Sequence, residues 1–167
     1  MVEEIYVENI REVLRNKARL QKELGIKLSN KGKNFFLEGK AENEYLAIEI
    51  LRAVNLGFSV EQALDLKLEG MMLQTLNIKD ITKRHDLERV RARIIGRKGK
   101  TLKTLQNLTN CDFSLHDNQI GIIGLTSEME EAIQAVTSLV QGSKQGNVYA
   151  RLERERKKKR VEGEDVE

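Results

Sequence analysis

The sequence predicts an α+β fold built from two tandem copies of one small module, each a three-stranded antiparallel sheet with three helices, the two packed together. Three observations predict it. Short turn-bounded segments with period-two apolar alternation are interleaved with stretches of helical apolar spacing. The order of those segments runs through once and then begins again. Laid together at an offset of 85, the halves pair Leu37 with Ile122, Gly39 with Gly124, Ile48 with Ile133, Leu51 with Val136 and Gly57 with Gly142, so the chain is an internal duplication.

In the first copy, Val2 to Val7 alternates as a strand. Asn9 to Leu24 then places Ile10, Val13, Leu14, Leu20 and Leu24 on one helical face, and Gly25 stops the helix. The turn-rich run Ser29 to Lys33 leads into Asn34 to Glu38, whose adjacent aromatics suit the second strand of a hairpin. A helix from Glu42 to Leu56 carries Leu46, Ile48, Ile50, Leu51 and Val54 as a broad stripe ended by Gly57. Ser59, with Gln62 three residues on, has the spacing of a capping box for a short helix to Leu66.

The second copy opens with a period-two stretch from Leu73 to Ile81. Asp86 is placed to cap a helix through Ile95, a glycine-bounded loop follows, and a further helix runs from Thr101 to about Thr109. Cys111 to Leu115 and Gln119 to Ile123 form a hairpin with His116-Asp117-Asn118 at its tip. Ser127 is placed to cap the last long helix, which Gly142 ends. Beyond it, Val148 to about Arg160 reads as a charged helix with an acidic end from Glu162 to Glu167. The domains expected are residues 1–70, 71–145 and a tail of 146–167.

Charge is distributed unevenly. Lys83 to Lys103 holds nine Lys and Arg against two acids, and Arg151 to Arg160 holds seven against two, whereas the chain as a whole is only +3. The remainder is therefore net acidic, and the concentration of positive charge points to a polyanionic partner rather than to a general solubility coat. The tail strip reads equally as a solvated helix and as a second phosphate-binding face.

Several function classes lose support. No apolar run approaches a membrane span and no leader pattern opens the sequence, so a cytoplasmic protein is expected. A single cysteine, Cys111, falls at an inward strand position and reads as core rather than as a reactive thiol. His85 and His116 lack ligand-spaced partners, so neither a metal nor any other cofactor is expected. Asp80 and His85 have no paired carboxylate or nucleophile beside them, which argues against an enzyme.

The chemistry gathers instead at Arg91-Ala-Arg-Ile-Ile-Gly-Arg-Lys-Gly-Lys-Thr-Leu102. Glycines at 96 and 99 allow a sugar-phosphate backbone to approach main-chain N–H groups at a helix N-terminus. Arg97 and Lys98 add charge beside the phosphates, supported by Lys100, Lys103, Arg91 and Arg93. Ile94, Ile95, Leu102 and Leu105 flank this loop, with some of them serving the core.

The run Ile-Ile-Gly-x-x-Gly-Lys at Ile94 to Lys100, set in the order strand, helix, loop, helix, strand, strand, helix, resembles the core motif of type I KH domains. The stretches Leu56 to Leu64 and Gly142 to Tyr149, together with the paired modules, resemble the archaeal and eukaryotic ribosome-biogenesis proteins related to partner of Nob-one, over about Ile5 to Arg160. The resemblance implies binding of single-stranded RNA, especially the 3′ region of small-subunit ribosomal RNA, by a non-enzymatic assembly factor. It also implies two partners, the endonuclease that trims that end and a translation initiation factor subunit. Gly96, Arg97, Lys98 and Gly99 are carried over as the clamp, and the KH resemblance puts Ile94, Ile95, Leu102 and Leu105 near the groove where bases would lie. Upstream of Gly25 the offset slips to about 81 and sets Arg15-Asn16-Lys17-Ala18 against that clamp, without either glycine, so the first copy is expected to pack or bind protein rather than to grip RNA. The competing class is a protein adaptor with incidental RNA contact.

Overall fold

The computed structural model describes residues 2–165, and its contacts divide the chain into two compact units, Met1–Leu73 and Gln74–Glu167. In the first, β1 (Val2–Tyr6) is followed by α1 (Ile10–Arg15), α2 (Lys17–Leu24), β2 (Lys27–Lys31), β3 (Asn34–Glu38), α3 (Ala41–Asn55) and α4 (Val60–Ala63). The strands lie in the order β1-β3-β2. Both pairings are antiparallel, with Ile5 opposite Phe35 and Leu28 opposite Leu37. Period-two alternation turns Phe35, Leu37 and Leu28 inward, where Val13, Leu20, Leu24, Ala47, Ile50 and Leu51 of the helices close over them. Burying each such side chain is worth about 1.5–3 kcal/mol.

The second unit repeats the plan. Here β4 (Met71–Asn77), α5 (Ile78–Ile81), α6 (Leu87–Ile95), α7 (Lys100–Thr109), β5 (Asp112–His116), β6 (Gln119–Leu125), α8 (Thr126–Val140) and α9 (Gln145–Asp165) follow in turn. The strand order is β4-β6-β5, with Phe113 opposite Ile122. Val90, Ile94, Leu105, Phe113, Ile120, Ile122, Met129 and Val136 are all buried. The α+β class and the duplicated three-stranded sheets are borne out.

Equivalent residues carry the same contacts in both copies. Gln21 Oε1 accepts from Leu28 N at 2.9 Å, and Gln106 Oε1, 85 residues on, accepts from Phe113 N at 3.3 Å, so the offset of 85 holds back to Gln21 and the slip to about 81 expected upstream of Gly25 begins only before it. A Cβ on Gly39 would stand 3.2 Å from Ile26 Cγ2, and one on Gly124 only 2.4 Å from Cys111 Sγ, so both glycines let the strand ahead of the last helix lie close to its neighbour. Burial pushes the Cys111 thiol up to about 11, as expected of a core cysteine.

Five boundaries differ from the sequence reading. The helix expected over Asn9 to Leu24 breaks at Asn16, whose amide side chain bonds Glu12 O at 2.8 Å. The strand expected to reach Ile81 stops at Asn77, where the side chain caps a helical turn by accepting from Lys79 N, and Ile78 N then donates to Asn118 O. Asp86 occupies the N-cap position of α6 without a side-chain cap, because Arg84 claims both carboxylate oxygens at 2.8 and 2.6 Å. Ser127 is not the cap of the long helix either. α8 starts at Thr126 after extended Leu125, as α3 starts after extended Lys40, its counterpart in the first copy. Finally, the tail helix begins at Gln145 and packs Val148 and Leu152 into the second unit against α7 and α8. Val166 and Glu167, within the predicted acidic end, lie outside the described residues. Among the described residues no helix is long and apolar enough to cross a membrane.

The predicted capping box is present in full. Ser59 accepts from Gln62 N and Gln62 Oε1 accepts from Ser59 N. The next N–H of that helix, Val60 N, donates to Glu12 Oε1 at 2.9 Å, while Arg15 holds Oε2 at 2.6 Å, tying α1 to α4. These two interactions, the Val60 bond first, pull the Glu12 pKa below its ordinary 4.5. A lowered folded pKa contributes stability that is complete above the unfolded value and is lost as pH falls through the folded one. Glu12→Gln should therefore be less stable than wild type above about pH 5, with the gap closing as pH falls further below 4.5 in urea titrations.

Candidate nucleic-acid interface

α6 delivers the loop and α7 receives it. Val90 and Ile94 anchor α6 in the core, and Gly96 ends it with its N–H on Ala92 O at 2.8 Å. Gly96 stands at φ +77, and a Cβ there would lie 2.1 Å from Thr101 Oγ1, so no side chain fits. Arg97 to Gly99 then make a single 3-10 turn in which Lys98 (φ 55, ψ 30) and Gly99 (φ 74, ψ 13) are both left-handed. Lys98 pays the left-handed strain of a residue with a Cβ, a cost of about 1–2 kcal/mol that the glycine-bounded turn imposes. A Cβ on Gly99 would meet nothing within 4 Å, so that face of the loop is open to a ligand.

No side chain caps α7 at Gly99, and its leading N–H groups gather at the loop with the positive end of the helix dipole. Arg97, Lys98, Lys100 and Lys103 are exposed, and none of them forms an ion pair among the described residues. Positive charge is left available around main-chain donors, which is the chemistry a phosphodiester strand requires. Beside the loop, Ile95 is 39% exposed and Leu102 is half-buried. Gln106, through its bond to Phe113 N, fixes the distance from α7 to the β5 edge.

Other predicted site residues have structural duties. Ile94 and Leu105 are fully buried and serve the core, not the surface. Arg91 donates to Asn118 Oδ1 at 2.6 Å, bracing α6 against the hairpin tip. Arg93 donates to Ser143 O at 2.8 Å and holds the connection between α8 and α9. In the first unit, Arg15 to Ala18 form the break at Asn16 instead of a loop, and Leu20 N bonds Asn16 O directly.

Sequence reasoning missed Gln145 and Tyr149. They line an open cleft with Arg97, Lys100, Thr101 and Thr104, on the side of α7 that faces α9. Their signal was the unusual stretch Gly142 to Tyr149, noted in the sequence but given no role. Further along α9, Arg156 bonds Asn107 O, and Lys159 reaches Glu128 at 2.9 Å and Glu131 at 3.2 Å. Partial burial alone would lower the Lys159 pKa, and those two carboxylates instead hold it above the ordinary lysine value. Part of the tail's charge is thus spent on docking the helix.

The pattern of the eukaryotic-type KH domain (KH-domain type I), in the form found as the second KH domain of PNO1, matches residues 72–157. The chain belongs to this KH family. A KH domain-containing protein of Methanocaldococcus jannaschii is 31% identical over 149 residues, covering 85% of this chain and 66% of that protein. The pre-rRNA-processing protein PNO1 of Eremothecium gossypii is 35% identical over 107 residues, covering 62% of this chain and 40% of that protein. The chain therefore spans just under two-thirds of the archaeal relative and two-fifths of the fungal one. Dim2p from Pyrococcus horikoshii superposes with a TM-score of 0.83 at 29% identity, covering 92% of this chain and 99% of that one. A chain in the crystal structure of the a/eIF2alpha-aDim2p-rRNA complex from the same organism superposes at 0.85 and 29%, covering 95% of each.

The two glycines differ in what they forbid. Gly96→Ala meets both a left-handed backbone and the Thr101 side chain, and should cost about 3 kcal/mol. Gly99→Ala meets the backbone term alone, about 1 kcal/mol. Urea unfolding midpoints of the two variants check that order.

Proposed function

We propose that the second unit clamps single-stranded RNA on Gly96-Arg97-Lys98-Gly99, and that the RNA is the 3′ region of small-subunit ribosomal RNA during its processing and assembly. The observation that carries the reading is the loop itself: a left-handed turn with an open face, uncapped helix N–H groups, and four exposed cations without carboxylate partners among the described residues. KH loops of this form grip about four nucleotides of backbone while bases are read beside the helix. Arg97, Lys98, Lys100 and Lys103 supply charge, Ile95 and Leu102 an apolar margin, and Arg91 and Arg93 the bracing.

Relatives named as pre-rRNA-processing proteins and a neighbour crystallised with rRNA support the choice of ligand. The same neighbour's complex includes a/eIF2alpha, which supports a translation initiation factor subunit as a partner. An rRNA-processing endonuclease is the second partner we propose, with residues 1–70 as the protein-facing part because their loop equivalent carries no clamp. In this reading the protein is a non-enzymatic factor of the cytoplasm that presents RNA to others.

Gly99→Asp puts a carboxylate on the open face, and aspartate tolerates a left-handed backbone better than most residues. The variant should fold and yet bind a single strand from the 3′ end of small-subunit ribosomal RNA at least tenfold more weakly than wild type. Neutralising four phosphates gives log K a slope of about −3 against log salt, and Lys98→Ala should reduce that slope by about 0.7. Fluorescence titrations at several salt concentrations measure both, and equal affinity of wild type and Gly99→Asp would refute the clamp.

A further inference from the structure

The cleft between the loop and the start of α9 is not part of the groove beside Ile95 and the β5 edge. Its walls are Arg97 and Lys100 on one side, Gln145 and Tyr149 on the other, with Thr101 and Thr104 between them. Two of these residues, Arg97 and Lys100, also belong to the clamp, so a strand leaving the loop on this side is passed from one to the other without a break in positive charge.

Tyr149 is half-buried, and neither its hydroxyl nor its ring has a partner among the described residues. Gln145 is held by its amide nitrogen, which donates to Thr101 Oγ1 at 3.1 Å and to Arg93 O at 3.3 Å. Its Oε1 accepts nothing among the described residues. Thr104 donates its hydroxyl proton to Lys100 O at 2.9 Å, which leaves the oxygen lone pairs as the other polar feature of the wall. A partly exposed aromatic face, a positioned acceptor and two cations form the set of groups that stacks a base, reads one edge of it and holds its phosphate.

We infer that this cleft takes one additional nucleotide, the one that flanks the clamped segment on the loop side, with its base on Tyr149 and its phosphate between Arg97 and Lys100. The inference rests on the clamp proposed above. It is limited to a single nucleotide because the cleft offers one aromatic ring, Tyr149, and one pair of cations, Arg97 and Lys100. α9 is then a working wall of the RNA site as well as a support for α7 and α8.

The test uses the full chain and the single strand from the 3′ end of small-subunit ribosomal RNA, together with copies of that strand carrying one abasic residue at each successive position. Wild type, Tyr149→Ala, Tyr149→Phe and Gly99→Asp are titrated against each. Loss of one stacked base corresponds to roughly a tenfold weakening. Tyr149→Ala is expected to bind the intact strand about tenfold more weakly and Tyr149→Phe to stay within about twofold of wild type. One abasic position flanking the clamped segment should weaken wild type by the same factor and leave Tyr149→Ala unchanged, as required of two groups that act as one contact. Tyr149→Ala binding like wild type, while Gly99→Asp loses binding, overturns the inference and leaves the clamp standing. A Tyr149→Ala loss that adds to every abasic loss overturns it too, since the ring would then be structural. Wild type that fails to bind the strand overturns both.

Discussion

The close approach of Gly96 to Thr101 governs the rest of the RNA site. With no room for even a methyl group between them, α6 stops and α7 starts with only the four residues 96–99 between, and the chain has to make that reversal in left-handed backbone. The consequences follow in sequence. Lys98 is forced into a strained conformation, Gly99 presents a bare surface, and the first N–H groups of α7 are left without a side-chain cap. Thr101, the residue that fills the space above Gly96, also receives the amide of Gln145 and so fixes where α9 begins. A single steric condition thus sets the shape of the clamp and the position of the wall behind it.

The duplicated architecture shows how one scaffold supports two outcomes. Gln21 and Gln106 make the same bond from helix to strand, Gly39 and Gly124 permit the same close strand, and Lys40 and Leu125 lead into the last helix in the same extended conformation. These are packing requirements of the module and hold in both copies. The loop is not required for packing, and there the copies part. In the first, Asn16 closes the gap with its own side chain and α2 follows directly, so no anion site is built.

Much of this could be read from the sequence because the signals were local or periodic. The repeat at offset 85, the strand alternation around Phe35 and Phe113, the Ser59 box and the glycine pair at 96 and 99 each depend on residues close in the chain. The misreadings had a common origin, in that a side chain with two possible partners took the one that sequence spacing does not reveal. Asp86 pairs with Arg84 instead of capping α6, and Asn77 ends a strand by capping the turn after it. Arg91 and Arg93 look like RNA ligands by position, but they are engaged by Asn118 and Ser143, which lie 27 and 50 residues away. The role of Tyr149 was out of reach for the same reason, since its neighbours Arg97 and Lys100 meet it only after α8 has turned the chain back.

In the proposed clamp, main-chain donors of one loop hold the RNA and the matching position of the other copy does not. Backbone amide shifts of the full chain, followed as single-stranded RNA from the 3′ end of small-subunit ribosomal RNA is added, test it most directly. The largest changes are expected on Gly96 to Lys103, with Arg15 to Ala18 unperturbed. Silent amides at Gly96 to Gly99, with changes centred on the first unit, would contradict it.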